Sequence, residues 1–207
     1  MLMASDLNSV KSQARRYHHG ALREALIQAA EEVIAERGVD GFSLRETSRR
    51  AGVSPAAPGH HFKDSRGLLT AVAAKAFRDF GDALEAADTG PNREARVRAQ
   101  GMAYVRFALA HRAKFELLWR KALIDASDAD YASAGHRAFM ILDRAIRGEQ
   151  AERSESADPQ LAPSIAAWSI VHGFATLAMD GVFGTDAGAA ERAVDALLPR
   201  VLDHLRI

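Results

Sequence analysis

The stretch Ser43–Phe62, SLRETSRRAGVSPAAPGHHF, constrains this chain more than any other. Ser43 followed three residues later by Glu46 is a capping box, in which each side chain takes an orphan backbone N–H at a helix start, so a helix begins at Leu44. Leu44, Thr47 and Ala51 share one face of it, while Arg45, Arg49 and Arg50 fall on the wet surface. Gly52 ends the helix, because glycine takes the left-handed conformation that a C′ position needs. Val53 packs into the angle, and Ser54 with Pro55 reads as a second N-cap with proline at the first helical position. Two short helices joined by a tight turn are therefore expected, the second running from Pro55 to Phe62.

A capped helix, a glycine turn and a second short helix make a helix-turn-helix, whose second helix enters the major groove of DNA with its N-terminal residues toward the base edges. Pro58 falls early in that helix, where a missing N–H costs little. Ala56, Ala57 and Gly59 permit close approach but offer no donors, which leaves His60 and His61 to supply polar contact or to pack within the domain; Phe62 reads as a core anchor. The candidate DNA contacts are Arg45, Ser54, Ala56, Ala57, Gly59, His60, His61, Lys63, Ser65 and Arg66.

Residues 21–76 resemble the DNA-binding domain of TetR-family transcriptional regulators, through ERGVDGFSLRETSRRAGVS, the short helix ending in HHF, and the pair Leu68-Leu69. The resemblance implies a homodimer on a double-stranded palindromic operator. Two positions depart from the family pattern: Gly59 stands where a tyrosine is usual, and Ser65 where a lysine or arginine is usual. Both usual residues touch phosphate, and Lys63 and Arg66 are the nearby charges that can replace them.

An all-α fold of about nine helices is expected, since no sustained alternation of apolar and polar residues reads as strand. The absence of cysteine excludes disulfides, thiolate metal sites and thiol nucleophiles. No Glu-x-x-His pair, His-Glu-x-x-His motif or glycine-rich phosphate loop is present, so no enzyme, cofactor or metal is expected. Net charge is zero, against nonspecific binding of polyanions, although residues 1–70 hold 10 Lys and Arg against 8 Asp and Glu. No apolar run is read as approaching the ~18 residues of a membrane span, and MLMASDLNSV lacks the order of a signal peptide, so a cytoplasmic protein away from membranes is expected.

In chain order, residues 1–17 read as a flexible basic arm with Lys11, Arg15 and Arg16. Residues 18–64 form the DNA-binding domain, whose first helix starts at Ala21 and carries Leu22, Ala25, Leu26, Ala29, Val33 and Ile34 to Gly38. Residues 65–88, capped by Asp64 or Ser65, form one connecting helix, and 89–207 a ligand-binding and dimerisation domain. Its helices are expected over 95–110, 111–125, 131–148 and 160–183, with a loop at GEQAERSESADPQ and a final helix reaching Leu205.

AWSIVHGFATLAMDG, in the helix from 160, resembles the mark of the Trp-His-Gly type of TetR-family C-terminal domain. Trp168, His172, Thr176 and Asp180 recur on one face there, with Gly173 beside them. His172 reads either as a ligand contact and pH-sensitive group or as a satisfied packing residue. Phe107, Phe115, Trp119, Phe139, Trp168 and His172 are the candidate ligand contacts, and they suggest a small apolar or aromatic inducer. Val171, Phe174, Leu197, Leu198, Val201 and Leu202 are the candidate dimer face. The readings left open are a ligand-released repressor, a DNA-binding regulator without an inducer, and a helical-bundle enzyme.

Overall fold

A computed structural model describes residues 4–148, 151 and 158–205, and of residues 4–19 the backbone only. Every regular element among them is helical: α1 (Ala4–Arg37), α2 (Leu44–Arg50), α3 (Ala57–Phe62), α4 (Ser65–Ala86), α5 (Arg93–Ala110), α6 (Arg112–Trp119), α7 (Ala129–Arg147), α8 (Ala162–Met179), α9 (Ala189–Ala196) and α10 (Leu198–Leu202), with a 3-10 turn at Pro159–Leu161 before α8. The all-α reading, with an N-terminal helix-turn-helix and a helical C-terminal part, holds.

The N-terminus differs from expectation. α1 starts at Ala4, across residues read as an arm; residues 4–19 contain no glycine or proline to interrupt a helix. The side chains of Lys11, Arg15 and Arg16 lie outside the described residues, as does most of the expected 148–160 loop. Of the apolar stripe as read, Leu26, Ala29, Val33 and Ile34 are buried and Leu22 is half-buried, but Ala25 is exposed, and Ile27 and Ala30 are buried in addition. Gly38, at φ +73°, closes the helix with its N–H on the Ile34 carbonyl.

Around α2 half of the capping box forms. Ser43 Oγ accepts the Glu46 N–H at 3.3 Å, but the Glu46 carboxylate is held by Arg49 and Arg50 instead of returning to Ser43. Gly52, at φ +68°, gives its N–H to Arg49, and Val53 gives its own to Ser48, which together are a Schellman cap. α3 begins at Ala57, two residues later than expected. Ser54 accepts the Ala57 N–H through its backbone carbonyl in a turn and does not cap the helix with its side chain.

α4 starts on the Asp64 side chain, which accepts the Gly67 N–H at 2.9 Å, and packs against α1, α3, α5, α6 and α7. Leu68, Leu69 and Val72 pack toward α1–α3, and Phe77, Phe80 and Leu84 lie in the core beyond. α7 crosses it closely because Gly135 lies against the Phe77 ring and Gly81 against Arg137, where an added Cβ would stand 3.3 and 3.1 Å from those side chains. α6 ends at Trp119, short of the expected 125, and turns over 120–128 lead to α7, capped by Asp128.

The expected final helix is two. Pro199 has no N–H to give Asp195, so the ladder breaks at Leu197 between α9 and α10. That break turns Leu198 and Leu202 inward. Both are buried within the subunit, as are Val171 and Phe174, and Val201 packs half-buried on the same core. The candidate dimer face is therefore largely this chain's own core, and Leu197 alone of that set is exposed. Among the described residues the large apolar side chains that meet solvent are Ile165 and Leu177 on α8, Val182 just after it, and Leu197.

A second correction concerns α8. Pro159–Met179 carries no charged side chain and, at a mean hydropathy of 1.3, is long and apolar enough by composition to cross a membrane, contrary to the expectation that no run approaches that length. Within the fold α8 packs on α5, and its Ser164, Trp168 and His172 bond polar groups of α7 and α5.

Candidate nucleic-acid interface and cavity

The candidate DNA contacts gather at one end of the molecule. Arg45, Ser54, Ala56, Gly59, His60, Lys63, Ser65 and Arg66 are exposed, and Ala57 and His61 are half-buried. Pro58 and Phe62 face inward, and Arg23 of α1 lies over the Phe62 ring at 5.2 Å, which fixes the end of α3 against α1. The arginines of α2 do different things. Arg49 and Arg50 grip Glu46, and their hydrogen bonds push its carboxyl down to about 2; Arg50 also pairs with Glu36. Arg45 forms no ion pair among the described residues, so its charge is free to meet another anion.

Lys63 joins α3 to α4 at φ 68° and ψ −56°, a conformation that L side chains rarely adopt. The Asp64 N–H reaches back to the Phe62 carbonyl at 2.8 Å, making a tight γ-turn with Lys63 at its apex. This turn aims α3 and holds the Lys63 side chain in solvent. Arg66 is placed otherwise than expected: its guanidinium donates to the Ile124 carbonyl at 2.8 Å and ties α4 to the segment after α6.

Among the C-terminal helices, α4, α5, α7, α8, α10 and the end of α6 line a cavity of about 310 Å³ that opens to solvent beside Lys121, Ala132 and His136. Of the candidate ligand residues, Trp119, Phe139 and Trp168 line it. Phe107 and Phe115 stand behind the lining, against Phe80 and Tyr104 with ring centroids 5.0 and 5.6 Å apart. His172 also stands behind. The Tyr104 hydroxyl accepts from Trp168 Nε1 at 3.2 Å and shares a hydrogen bond with His172 Nδ1 at 2.9 Å, which links α5 to α8 through one oxygen. Burial holds His172 below the usual histidine range and pushes the Tyr104 phenol up.

Val171 and Leu202, read as dimer contacts, are cavity wall. Gln100, Tyr104 and Tyr131 line the cavity too and were not singled out in the sequence. The available signal was a polar residue on an apolar stripe: Val97, Gln100, Tyr104 and Ala108 recur at i, i+3, i+7 and i+11 on α5, and all four are buried.

Several bonds connect the cavity wall to α1–α4. Arg120, next to Trp119, pairs with Asp40 in the α1–α2 loop. The Asp125 N–H donates to Thr70 Oγ1 of α4 at 2.8 Å, close to the Arg66–Ile124 bond. Glu31 of α1 and Asp79 of α4 share Lys75 and Lys114, which brings α1, α4 and α6 together around one cluster of charges.

Comparison with known proteins matches this geometry. Residues 26–72 match the model described as "Bacterial regulatory proteins, tetR family", and residues 97–201 that described as "Tetracyclin repressor-like, C-terminal domain". A structure of a protein of unknown function from Rhodococcus sp. RHA1 is similar at a TM-score of 0.72 and 35% identity, over 91% of this chain and 97% of that one. A TetR family transcription regulator from Marinobacter aquaeolei VT8 shares the fold at a TM-score of 0.60 and 18% identity, over 90% and 97% of the two chains. The HTH-type transcriptional regulator BetI of Cronobacter sakazakii is 36% identical over 83 residues, 40% of this chain and 41% of that protein, so the chain matches less than half the length of this curated relative. With family matches over both the helix-turn-helix and the helices that line the cavity, this chain belongs to the TetR family of DNA-binding transcriptional regulators.

Proposed function

We propose that this regulator is a cytoplasmic repressor that binds a palindromic operator as a homodimer and leaves it when a small apolar or aromatic molecule enters the cavity. In this reading residues 18–64 bind DNA, 65–88 connect, and 89–207 hold ligand and dimer contacts. The observation that carries it is the sharing of α4: its first turns support α3 while Phe77, Phe80 and Leu84 line the cavity. An occupant that moves α4 or the Trp119–Asp125 segment also moves the partners of Arg66 and Asp40, and so reorients α3.

The dimer contact falls on the outer face of α8. Ala162, Ile165, Ala166, Ser169, Gly173, Thr176 and Leu177 are exposed or nearly so, and a Cβ added at Gly173 meets nothing within 4 Å. A flat strip of small side chains edged by Ile165 and Leu177 suits close packing against its own copy.

On the DNA side, the proposed contacts are Arg45, Ser54, Ala56, Ala57, Gly59, His60, His61, Lys63 and Ser65. The test begins with selection of a binding sequence from random duplexes, followed by gel shift across salt concentrations. Lys63→Gly removes the charge and places glycine at a positive φ, so it keeps or raises thermal stability while the slope of log affinity against log salt falls by about 0.9 for each phosphate no longer neutralised. An unchanged slope removes Lys63 from the interface, and failure to enrich a palindrome removes the twofold model.

A further inference from the structure

Gln100 is 1% exposed, yet neither its Oε1 nor its Nε2 has a hydrogen-bond partner. Trp119 Nε1 is buried and unpaired in the same way. Both residues line the cavity, whose other walls are mostly aromatic and aliphatic. Interiors pair nearly all such groups, because a buried donor or acceptor without a partner loses its hydration and gains nothing in return. The three unpaired polar atoms belong to two residues of one cavity wall and have almost no surface of their own, so an occupant reaches them as the Gln100 and Trp119 side chains turn toward it, and they are a template for what the cavity takes.

The template has a definite chemistry. Gln100 offers one acceptor and a two-proton donor side by side on a plane, and Trp119 offers one further donor. The complement is a planar group that presents a carbonyl oxygen beside an N–H or O–H, with spare acceptor capacity for the indole. Among the described residues no carboxylate lines the cavity, and the two basic side chains on its wall, Lys121 and His136, are exposed. A buried cation there has no counter-charge, and a carboxylate has no buried cation to meet it.

Resting on the reading of this cavity as the ligand site, we infer that it selects an uncharged, largely apolar molecule bearing an amide-like donor–acceptor pair, which docks on the Gln100 amide and takes the Trp119 N–H on its carbonyl oxygen. The volume fits a two-ring body and lies at the small end of drug-sized sites.

Titration calorimetry with four probes of similar size tests this: naphthalene-2-carboxamide, with donor and acceptor; 2-acetylnaphthalene, with the acceptor alone; 2-ethylnaphthalene, with neither; and benzyltrimethylammonium. The carboxamide binds the wild type at least as tightly as the ketone despite its stronger hydration. Gln100→Leu shifts the affinity ratio of carboxamide to ketone against the carboxamide by roughly 10-fold or more, and Trp119→Phe weakens both carbonyl probes relative to the hydrocarbon. Since Gln100→Leu removes an unpaired amide, the free variant melts no lower than the wild type; Gln100→Met, closer in shape, repeats the measurement where the leucine does not pack.

An unchanged ratio in folded Gln100 variants overturns the inference and leaves the cavity reading standing. Tighter binding of the ammonium probe than of the carboxamide overturns it as well, in favour of recognition by the aromatic faces. Binding of none of the four removes the cavity as a ligand site and the inference with it.

Discussion

Gly59 in α3 and Gly67 in α4 are both helical glycines, and the same substitution at each is expected to act with opposite sign. At Gly59 an added Cβ meets nothing within 4 Å, so Gly59→Ala simply reduces the freedom of the unfolded chain and is expected to stabilise by about 0.5–1 kcal/mol. At Gly67 the Cβ would stand 2.0 Å from the Phe62 carbonyl oxygen and 3.0 Å from its carbon. That oxygen also accepts the Asp64 N–H, so it cannot retreat without opening the turn at Lys63. Overpacking of this kind costs about 1–3 kcal/mol, of which the better helix propensity of alanine returns at most about 1. The net loss, on the order of 1–2 kcal/mol, lowers the midpoint by about 2–8 °C for a chain of this size. Calorimetric melts of the two variants and the wild type in one buffer decide the matter. A Gly67→Ala variant that melts at or above the wild type would show that the α3–α4 turn is looser than described, and with it the aim of α3.

Leu177→Glu on the outer face of α8 is expected to give folded monomers by light scattering, whereas Leu202→Asp, in the buried core, is expected to lower the melting midpoint by more than about 5 °C, from a destabilisation of about 3 kcal/mol or more; a Leu177→Glu protein that stays dimeric places the interface elsewhere. Burial lowers the affinity of His172 and His111 for protons below the ordinary value of 6.5, and Lys114 adds to this at His111. The unfolded chain therefore takes up protons first on acidification, and stability falls as pH drops through 6.5 toward the lowered folded values, then levels off. Melting midpoints between about pH 8 and 5 are expected to show this fall, shallower in His172→Gln, and an identical slope in that variant would assign the effect to other groups.

Much of the DNA-binding end was legible because its signals are local. Gly52, Gly38 and Asp64 act within one turn of the chain, and each does in the structure what its residue type demands. Ser54-Pro55 misled for the same reason: a serine ahead of a proline can cap a helix or start a turn, and here it starts a turn. Farther along, periodicity told which residues are buried but not against what. Leu198 and Leu202 are as apolar as an interface requires, yet the break at Pro199 turns them inward. Gln100 and Tyr104 escaped because α5 was read through its apolar residues alone, while the polar group on the buried face was the informative one.

The two tryptophans of this chain, Trp119 and Trp168, both stand on the cavity wall with ring centroids 5.5 Å apart. Indole transitions that close couple electronically, and no third indole dilutes the signal. Near-ultraviolet optical activity and intrinsic emission therefore report on this one interior space. An occupant that parts the rings or takes the Trp119 N–H changes both signals without any label, so the protein carries its own optical sensor of occupancy.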